Sequence, residues 1–110
     1  MIYTVTFSPA LDYCLTLPCL LQGEINRSTD EKVFVGGKGI NVSFVLKEFG
    51  FNSTALGFVA GFTGEYIENE LKNADIKTDF VHLKSGFSRI NVKLRSAHET
   101  DINALGPNIS

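Results

Sequence analysis

The sequence has no tryptophan, one methionine, three prolines and two cysteines. Cys14 and Cys19 lie five apart on a stretch that reads as strand followed by loop, and neither His82 nor His98 is near them in sequence. Disulfides and a zinc cluster are therefore excluded as organising devices, and both thiols are expected to pack or to be partly exposed. A basic excess is lacking too. Ten Lys and Arg against twelve Asp and Glu leave a formal charge of −2, which removes the electrostatic footprint of nucleic-acid binding. No apolar run approaches the roughly 20 residues of a membrane helix. The first residues, Met1–Phe7, have neither a basic stretch nor the long apolar core of a signal peptide. Without a secretory signal, Asn-x-Ser/Thr triplets such as those at Asn41, Asn52 and Asn108 are chance matches, and the cytoplasm is the expected compartment. Internal repeats and low-complexity segments are also missing.

What is there is an ordinary globular composition: 110 residues, 44% hydrophobic and 20% charged, enough for one domain. Residues 2–7 alternate, with Tyr3, Val5 and Phe7 opposite Ile2, Thr4 and Thr6, which predicts a well-buried strand ended by Ser8-Pro9. A second strand is expected over Tyr13–Leu17, stopped by Pro18. A polar loop, Gly23–Ser28, then leads to a third strand over Lys32–Val35. The third strand runs through Gly36-Gly37-Lys38-Gly39 into a helix. Val42, Val45, Leu46 and Phe49 fall at i, i+3, i+4 and i+7 and predict its buried stripe, with Gly50 as a left-handed terminator. Ser53–Ala60 reads as a strand and Gly61-Phe62-Thr63-Gly64 as a turn. A second helix follows, with Ile67, Leu71 and Ala74 inward and Glu65 in its first turn. Strand, helix, strand, helix is the order of parallel α/β layering. Ser88–Arg95 alternates between Ile90, Val92 and Leu94 and the polar Arg89, Asn91, Lys93 and Arg95, as in an antiparallel sheet with one solvated face. Gly106-Pro107-Asn108-Ile109-Ser110 follows after only two helices, which reads as a truncated layer.

Three places carry residues suited to chemistry. Glycines in Gly36-Gly37-Lys38-Gly39-Ile40-Asn41 let the backbone approach a ligand at a helix N-terminus, and Lys38 adds charge for an anion or polyol. The spacing matches neither a P-loop nor a dinucleotide fingerprint, and a purely geometric turn is the alternative. Asp12 follows the first strand, beyond whose carboxyl end ligands gather in parallel α/β folds. Its carboxylate can accept two hydroxyl hydrogen bonds, although a turn aspartate needs no ligand. Arg89, Lys93 and Arg95 share one strand face and could meet a phosphate, or could simply be solvated, as expected for Arg95. His82 and His98 look isolated, Glu65, Glu68 and Glu70 look like a solvated helix face, and no Ser/His/Asp set is recognisable.

Together these stretches resemble the PfkB, or ribokinase-like, sugar kinases. The likeness runs over essentially the whole chain but covers the N-terminal part of that family's domain. Gly36-Gly37-Lys38-Gly39-Ile40-Asn41 is similar to the family's N-terminal signature, and Gly57–Gly64 to its glycine-punctuated strand-to-helix turn. Pro9-Ala10-Leu11-Asp12-Tyr13 resembles the NPALD start of the 1-phosphofructokinase and tagatose-6-phosphate kinase branch. Ser88–Leu94 resembles its TRINVKL strand, and Thr100-Asp101-Ile102-Asn103 with Gly106-Pro107 its TEIN…GP stretch. Bacterial 1-phosphofructokinases are the nearest likeness. Ser8 departs from the usual Asn, Asp101 from Glu, and Leu105 from small residues or proline.

The resemblance implies a ribokinase-like α/β fold, a parallel sheet with flanking helices plus a small β-lid. Residues 1–110 would be the N-terminal part of one such domain, with lid strands over about 12–35 and 88–104. It implies an ATP-dependent kinase that phosphorylates fructose 1-phosphate to fructose 1,6-bisphosphate. Tagatose-6-phosphate kinase and a ribokinase-like sugar kinase are the alternatives, and a non-catalytic sugar-phosphate-binding fragment is the alternative of another class. Asp12 would grip sugar hydroxyls, with Gly36, Gly37 and Asn41 lining the pocket. Lys38 and Arg89 would face the substrate phosphate, Asn91 would support nearby, and Arg27 would be a further candidate beside the lid. The family's catalytic base lies in a Gly-x-Gly-Asp motif that these 110 residues do not contain. ATP and Mg sites are therefore expected mostly downstream, this segment alone is expected to be inactive, and a homodimer is expected through the lid. Neither nucleic acid nor membrane is an expected partner.

Overall fold

The computed structural model describes residues 1–109; Ser110 lies outside the described residues. A first sheet is built from β1 (Tyr3–Thr6), β4 (Thr54–Ala60), β5 (Lys77–Thr78) and β6 (Val81–Leu83). All its pairings are parallel: β1 on β4, with β5 and β6 on the other edge of β4. Helices α1 (Lys38–Glu48) and α2 (Gly61–Asn73) supply the crossovers, as parallel strands require. A second sheet holds β3 (Asp30–Gly36), β2 (Ala10–Thr16), β7 (Arg89–Arg95) and β8 (Glu99–Ile102) in that order.

Both helices pack on the same face of the first sheet. Ala55 and Val59 of β4 meet Ile40 of α1 and Ile67 and Leu71 of α2, with Ile76 and Phe80 completing the core. The inward face expected of α2 is therefore present, although Ala74 is only partly buried. The helix begins earlier than expected, because Gly61 takes a left-handed φ of 61° that starts it directly after β4. Glu65 consequently sits beyond the first turn. Gly64 explains the tight seat: a Cβ there would lie 2.9 Å from the Val59 side chain.

The face of α1 is a correction. Val42, Val45 and Phe49 are 49%, 51% and 74% exposed, while Ile40 and Ser43 are buried. Small residues decide this. A Cβ on Gly39 would fall 2.5 Å from the Val5 carbonyl oxygen, so α1 approaches β1 along Gly39 and Ser43 rather than along its bulky stripe. Ser43 shares hydroxyl hydrogen bonds with Thr4 (2.7 Å) and Ser53 (2.8 Å), which satisfies three buried polar groups at once. β1 corrects the expectation in the same sense, since Thr4 faces the helix and Tyr3, Val5 and Phe7 are 55%, 57% and 70% exposed. Phe7 meets Phe58 edge-on across the uncovered face.

Both helices end in the same way. After α1, Gly50 N–H bonds to the Lys47 carbonyl and Phe51 N–H to that of Leu46, with Gly50 at φ 84° as the sequence suggests. After α2, Asp75 and Ile76 repeat the two bonds to Lys72 and Leu71, and Asp75 takes the left-handed position at φ 60°.

The second sheet is mixed rather than antiparallel. β7 runs parallel to β2 and antiparallel to β8, and β2 is antiparallel to β3. Alternation gives a strand its faces and not its direction, so the sequence leaves this open. Buried Ser88 roots β7 in the first layer. Its N–H donates to the Ala60 carbonyl (2.9 Å), its Oγ accepts from Ala60 N–H (3.1 Å), and its carbonyl accepts from Thr63 Oγ1 (2.6 Å). Among the described residues, no helix is long and apolar enough to cross a membrane.

Candidate functional site

The pleat of the second sheet puts alternate residues on one face in register. From its root outward the rows are Gly36–Ala10–Arg89, Phe34–Asp12–Asn91, Lys32–Cys14–Lys93–Asp101 and Asp30–Thr16–Arg95–Glu99. This polar face is not simply solvated, as the alternation suggested: Asn91 is buried, 7% exposed. The face looks into an open cavity of about 500 Å³ where the sheet meets α1 and α2. Asp12, Gly36, Gly37 and Asn41 line it together, with Phe34, Phe44, Cys14, Lys93, Arg95 and Glu70.

Local sequence explains this convergence. β3 delivers its glycines at its carboxyl end, and Gly37 takes φ 135°, with Thr6 Cγ2 only 2.5 Å from where a Cβ would be. Thr6 Oγ1 accepts the Ile40 N–H (3.1 Å), fixing the start of α1 and so the place of Asn41 one residue later. Gly36 leaves room for a carboxylate, because its Cβ would stand 2.6 Å from Asp12 Oδ2. Asp12 Oδ1 accepts from Asn91 Nδ2 at 3.1 Å, and Asn91 Oδ1 accepts from Ala104 N–H at 3.3 Å. A carboxylate held on one oxygen beside glycine backbone and a helix-borne amide is suited to gripping hydroxyls.

The other expected site residues stand apart from the cavity lining. Lys38 is exposed as the first residue of α1, and Arg27 is exposed in the loop between β2 and β3. Arg89 lies at the root of the sheet, in the row of Gly36 but across Ala10 from it. Among the described residues, Arg89 Nε is the buried side-chain polar atom without a hydrogen-bond partner. Arg95 is not merely solvated: it pairs with Glu99 at 2.5 Å and borders the cavity. Lys93 approaches Asp101 at 3.9 Å. The acidic face of α2 also needs correction, since Glu68 is mostly covered and binds His82 Nε2 at 3.0 Å while Glu70 reaches the cavity. Phe44 lies three residues after Asn41 on the same helix face, a signal the sequence does contain. Nothing in the local pattern points to Glu70.

Residues 6–110 match the family model described as pfkB family carbohydrate kinase. The chain belongs to the pfkB family. All the cavity residues of this pfkB chain fall within the matched span. It is 50% identical over 110 residues to a 1-phosphofructokinase of Bacillus subtilis, and 49% identical to a D-tagatose-1-phosphate kinase of Bacillus licheniformis. In both cases all of the chain is covered, and 36% of the relative. A Staphylococcus aureus crystal structure provisionally named a phosphofructokinase superposes with a TM-score of 0.92 at 48% identity, again over 100% of this chain and 36% of that one. The pfkB chain thus spans about a third of the length of the curated relatives it matches.

Proposed function

We propose that this chain is the acceptor-holding third of an ATP-dependent kinase that phosphorylates fructose 1-phosphate to fructose 1,6-bisphosphate. The observation that carries the reading is the cavity itself. Asp12, held through one oxygen by Asn91 and seated over Gly36, shares it with Gly37 and Asn41. Asp12 accepts hydrogen bonds from two sugar hydroxyls, while glycine backbone and the Asn41 amide line the opposite wall. Arg89 supports the phosphate end, because a buried guanidinium nitrogen lacking an acceptor invites an anionic one. Lys38 adds charge nearby, and Arg27 is the further candidate from the loop.

The second sheet acts as a lid over approximately residues 12–35 and 88–104. Its closure keeps water from the γ-phosphate, so that the sugar's free terminal hydroxyl receives the phosphoryl group and gives up its proton. Among the described residues no group of three or more His, Cys, Asp or Glu could hold a metal ion. ATP, Mg and the proton acceptor are assigned to the part of the kinase beyond the 36% of its relatives' length that this chain covers. The segment contributes binding and orientation, and alone it is inactive. On the lid's other face, Leu11, Tyr13, Val33 and Ile90 surround an apolar hollow of about 460 Å³, which supports a homodimer contact through the lid. The cytoplasm is the proposed compartment.

A second reading is tagatose 1-phosphate as acceptor, favoured by the 49% identical relative named for that substrate. It displaces tagatose 6-phosphate as the leading alternative. The test is phosphoryl transfer by the full-length protein to fructose 1-phosphate, tagatose 1-phosphate and tagatose 6-phosphate, with Asp12→Asn alongside. The reading expects the highest kcat/KM on fructose 1-phosphate and a large loss in the variant. A protein that binds these sugars without turning any over would establish the non-catalytic alternative.

A further inference from the structure

We propose that Asn91 is the positioning residue that fixes the sugar-binding carboxylate of Asp12, and that it does so because its own amide is locked by the backbone of Ala104. The inference rests on the reading of Asp12 as a sugar ligand. Asn91 is 7% exposed, and each end of its side-chain amide has one partner. Ala104 N–H can only donate, so the atom facing it at 3.3 Å is the amide oxygen. That assignment leaves the NH₂ group to face Asp12 Oδ1 at 3.1 Å. Asp12 is thereby pinned through one oxygen, while Oδ2 stays in the gap over Gly36. The lock also runs past the end of β8, joining the chain after Ile102 to the strand pair that carries the site.

Shape and charge can be separated here. Asn91→Asp keeps the size of the side chain but sets a second carboxylate against Asp12, and two such groups cannot both ionise cheaply. Lowering the pH lets the pair share one proton, which restores a donor. The charged or titratable groups on the same face are Cys14 from β2, Asp30 and Lys32 from β3, Arg89, Lys93 and Arg95 from β7, and Glu70 from α2. Those from β8, Asp101 and Glu99, are turned to Lys93 and Arg95, and α1 contributes Asn41 and Phe44, which do not titrate, with the exposed Lys38 at its start.

The test is made in the full-length kinase, with KM for fructose 1-phosphate and for ATP measured across pH for wild type, Asn91→Asp, Asn91→Ala and Asp12→Asn. Each KM is divided by the wild-type value at the same pH, which cancels ionisation of the substrate phosphate. For Asn91→Asp, the expected sugar-phosphate ratio is roughly tenfold or more near pH 8, falling to within about threefold near pH 5.5. Asn91→Ala is expected to raise it about three- to tenfold with no pH trend, since a neutral donor is lost without repulsion. ATP KM should stay within about twofold throughout. If Asn91→Asp fails to fold, Asn91→Ala decides. A wild-type sugar-phosphate KM in Asn91→Ala, with at most a lower melting temperature, overturns the proposal, as does a pH-independent ratio in folded Asn91→Asp. If Asp12→Asn loses sugar binding in those cases, the reading of Asp12 stands and only the role of Asn91 falls. An unchanged Asp12→Asn removes both.

Discussion

Arg89 and Arg95 share a strand and a face, yet their surroundings differ sharply. Arg89 keeps a buried nitrogen without a partner, whereas Arg95 spends its charge on Glu99. On the proposed reading, Arg89→Ala in the full-length protein should weaken sugar-phosphate binding by roughly 10- to 150-fold, the loss of about 1.5–3 kcal/mol. Arg95→Ala removes an exposed pair and should change it by no more than about fivefold. Calorimetric titration with fructose 1-phosphate reads both, and equal affinities would return Arg89 to a structural role. Tyr13, on the second sheet's other face, donates to Glu31, and this bond raises its pKa above the usual 10.0, with burial and the Glu31 charge adding to it. A raised phenol keeps the bond intact below its ordinary value and loses it as pH climbs past the raised one. Glu31→Gln should therefore shift tyrosinate absorbance toward lower pH; an unchanged titration would mean that the bond does not persist in solution. Much of the cavity's lining was legible at this scale, because Asp12, the paired glycines and Asn41 sit in short motifs. Glu70 reaches the cavity only through tertiary packing, which no local spacing encodes.

The helix ends offer a matched comparison among elements. Gly50 and Asp75 occupy the same left-handed position after α1 and α2, with φ 84° and 60°. Gly50→Ala meets no steric neighbour within 4 Å, so its cost is backbone strain alone, about 1 kcal/mol. Asp75→Gly should stabilise by about 0.5 kcal/mol, because the pair it loses with Lys47 involves a carboxylate 94% exposed. Opposite shifts of the denaturant midpoint at constant m would support both; a destabilised Asp75→Gly would show the ion pair to outweigh the strain. Sequence patterns found α2, β4 and β7 because bulky residues there recur with one clear period. They misjudged α1, where Gly39 and Ser43 make the contact and leave Val42, Val45 and Phe49 outside. β5, β6 and β8 span two, three and four residues, too few to show a period.

Across the whole molecule, both helices cover one face of the first sheet, and Tyr3, Val5, Phe7 and Val81 remain exposed on the other. A continuous apolar surface of this kind binds hydrophobic dyes and drives association. The 110-residue chain expressed alone should enhance anilinonaphthalene sulfonate fluorescence and sediment as more than a monomer. Val5→Lys combined with Phe7→Lys should reduce both signals. A dye-silent, monomeric wild-type chain would contradict this reading of the bare face.

The parallel pairing of β2 with β7 has a consequence in time. Asp12 and Asn91 are 79 residues apart, and their contact closes a loop containing both helices and β4. Closing so long a loop costs on the order of 4 kcal/mol of chain entropy, apart from a constant, and slows folding accordingly. On a ribosome adding about 5–20 residues per second, Asn91 is made roughly 4–16 s after Asp12. Once β3 is made, β2 has it as a neighbour and no β7, and the backbone N–H and C=O groups along its other edge wait unpaired. The Asp12 carboxylate is among the first groups synthesised, and it waits 79 residues for the Asn91 amide that holds it.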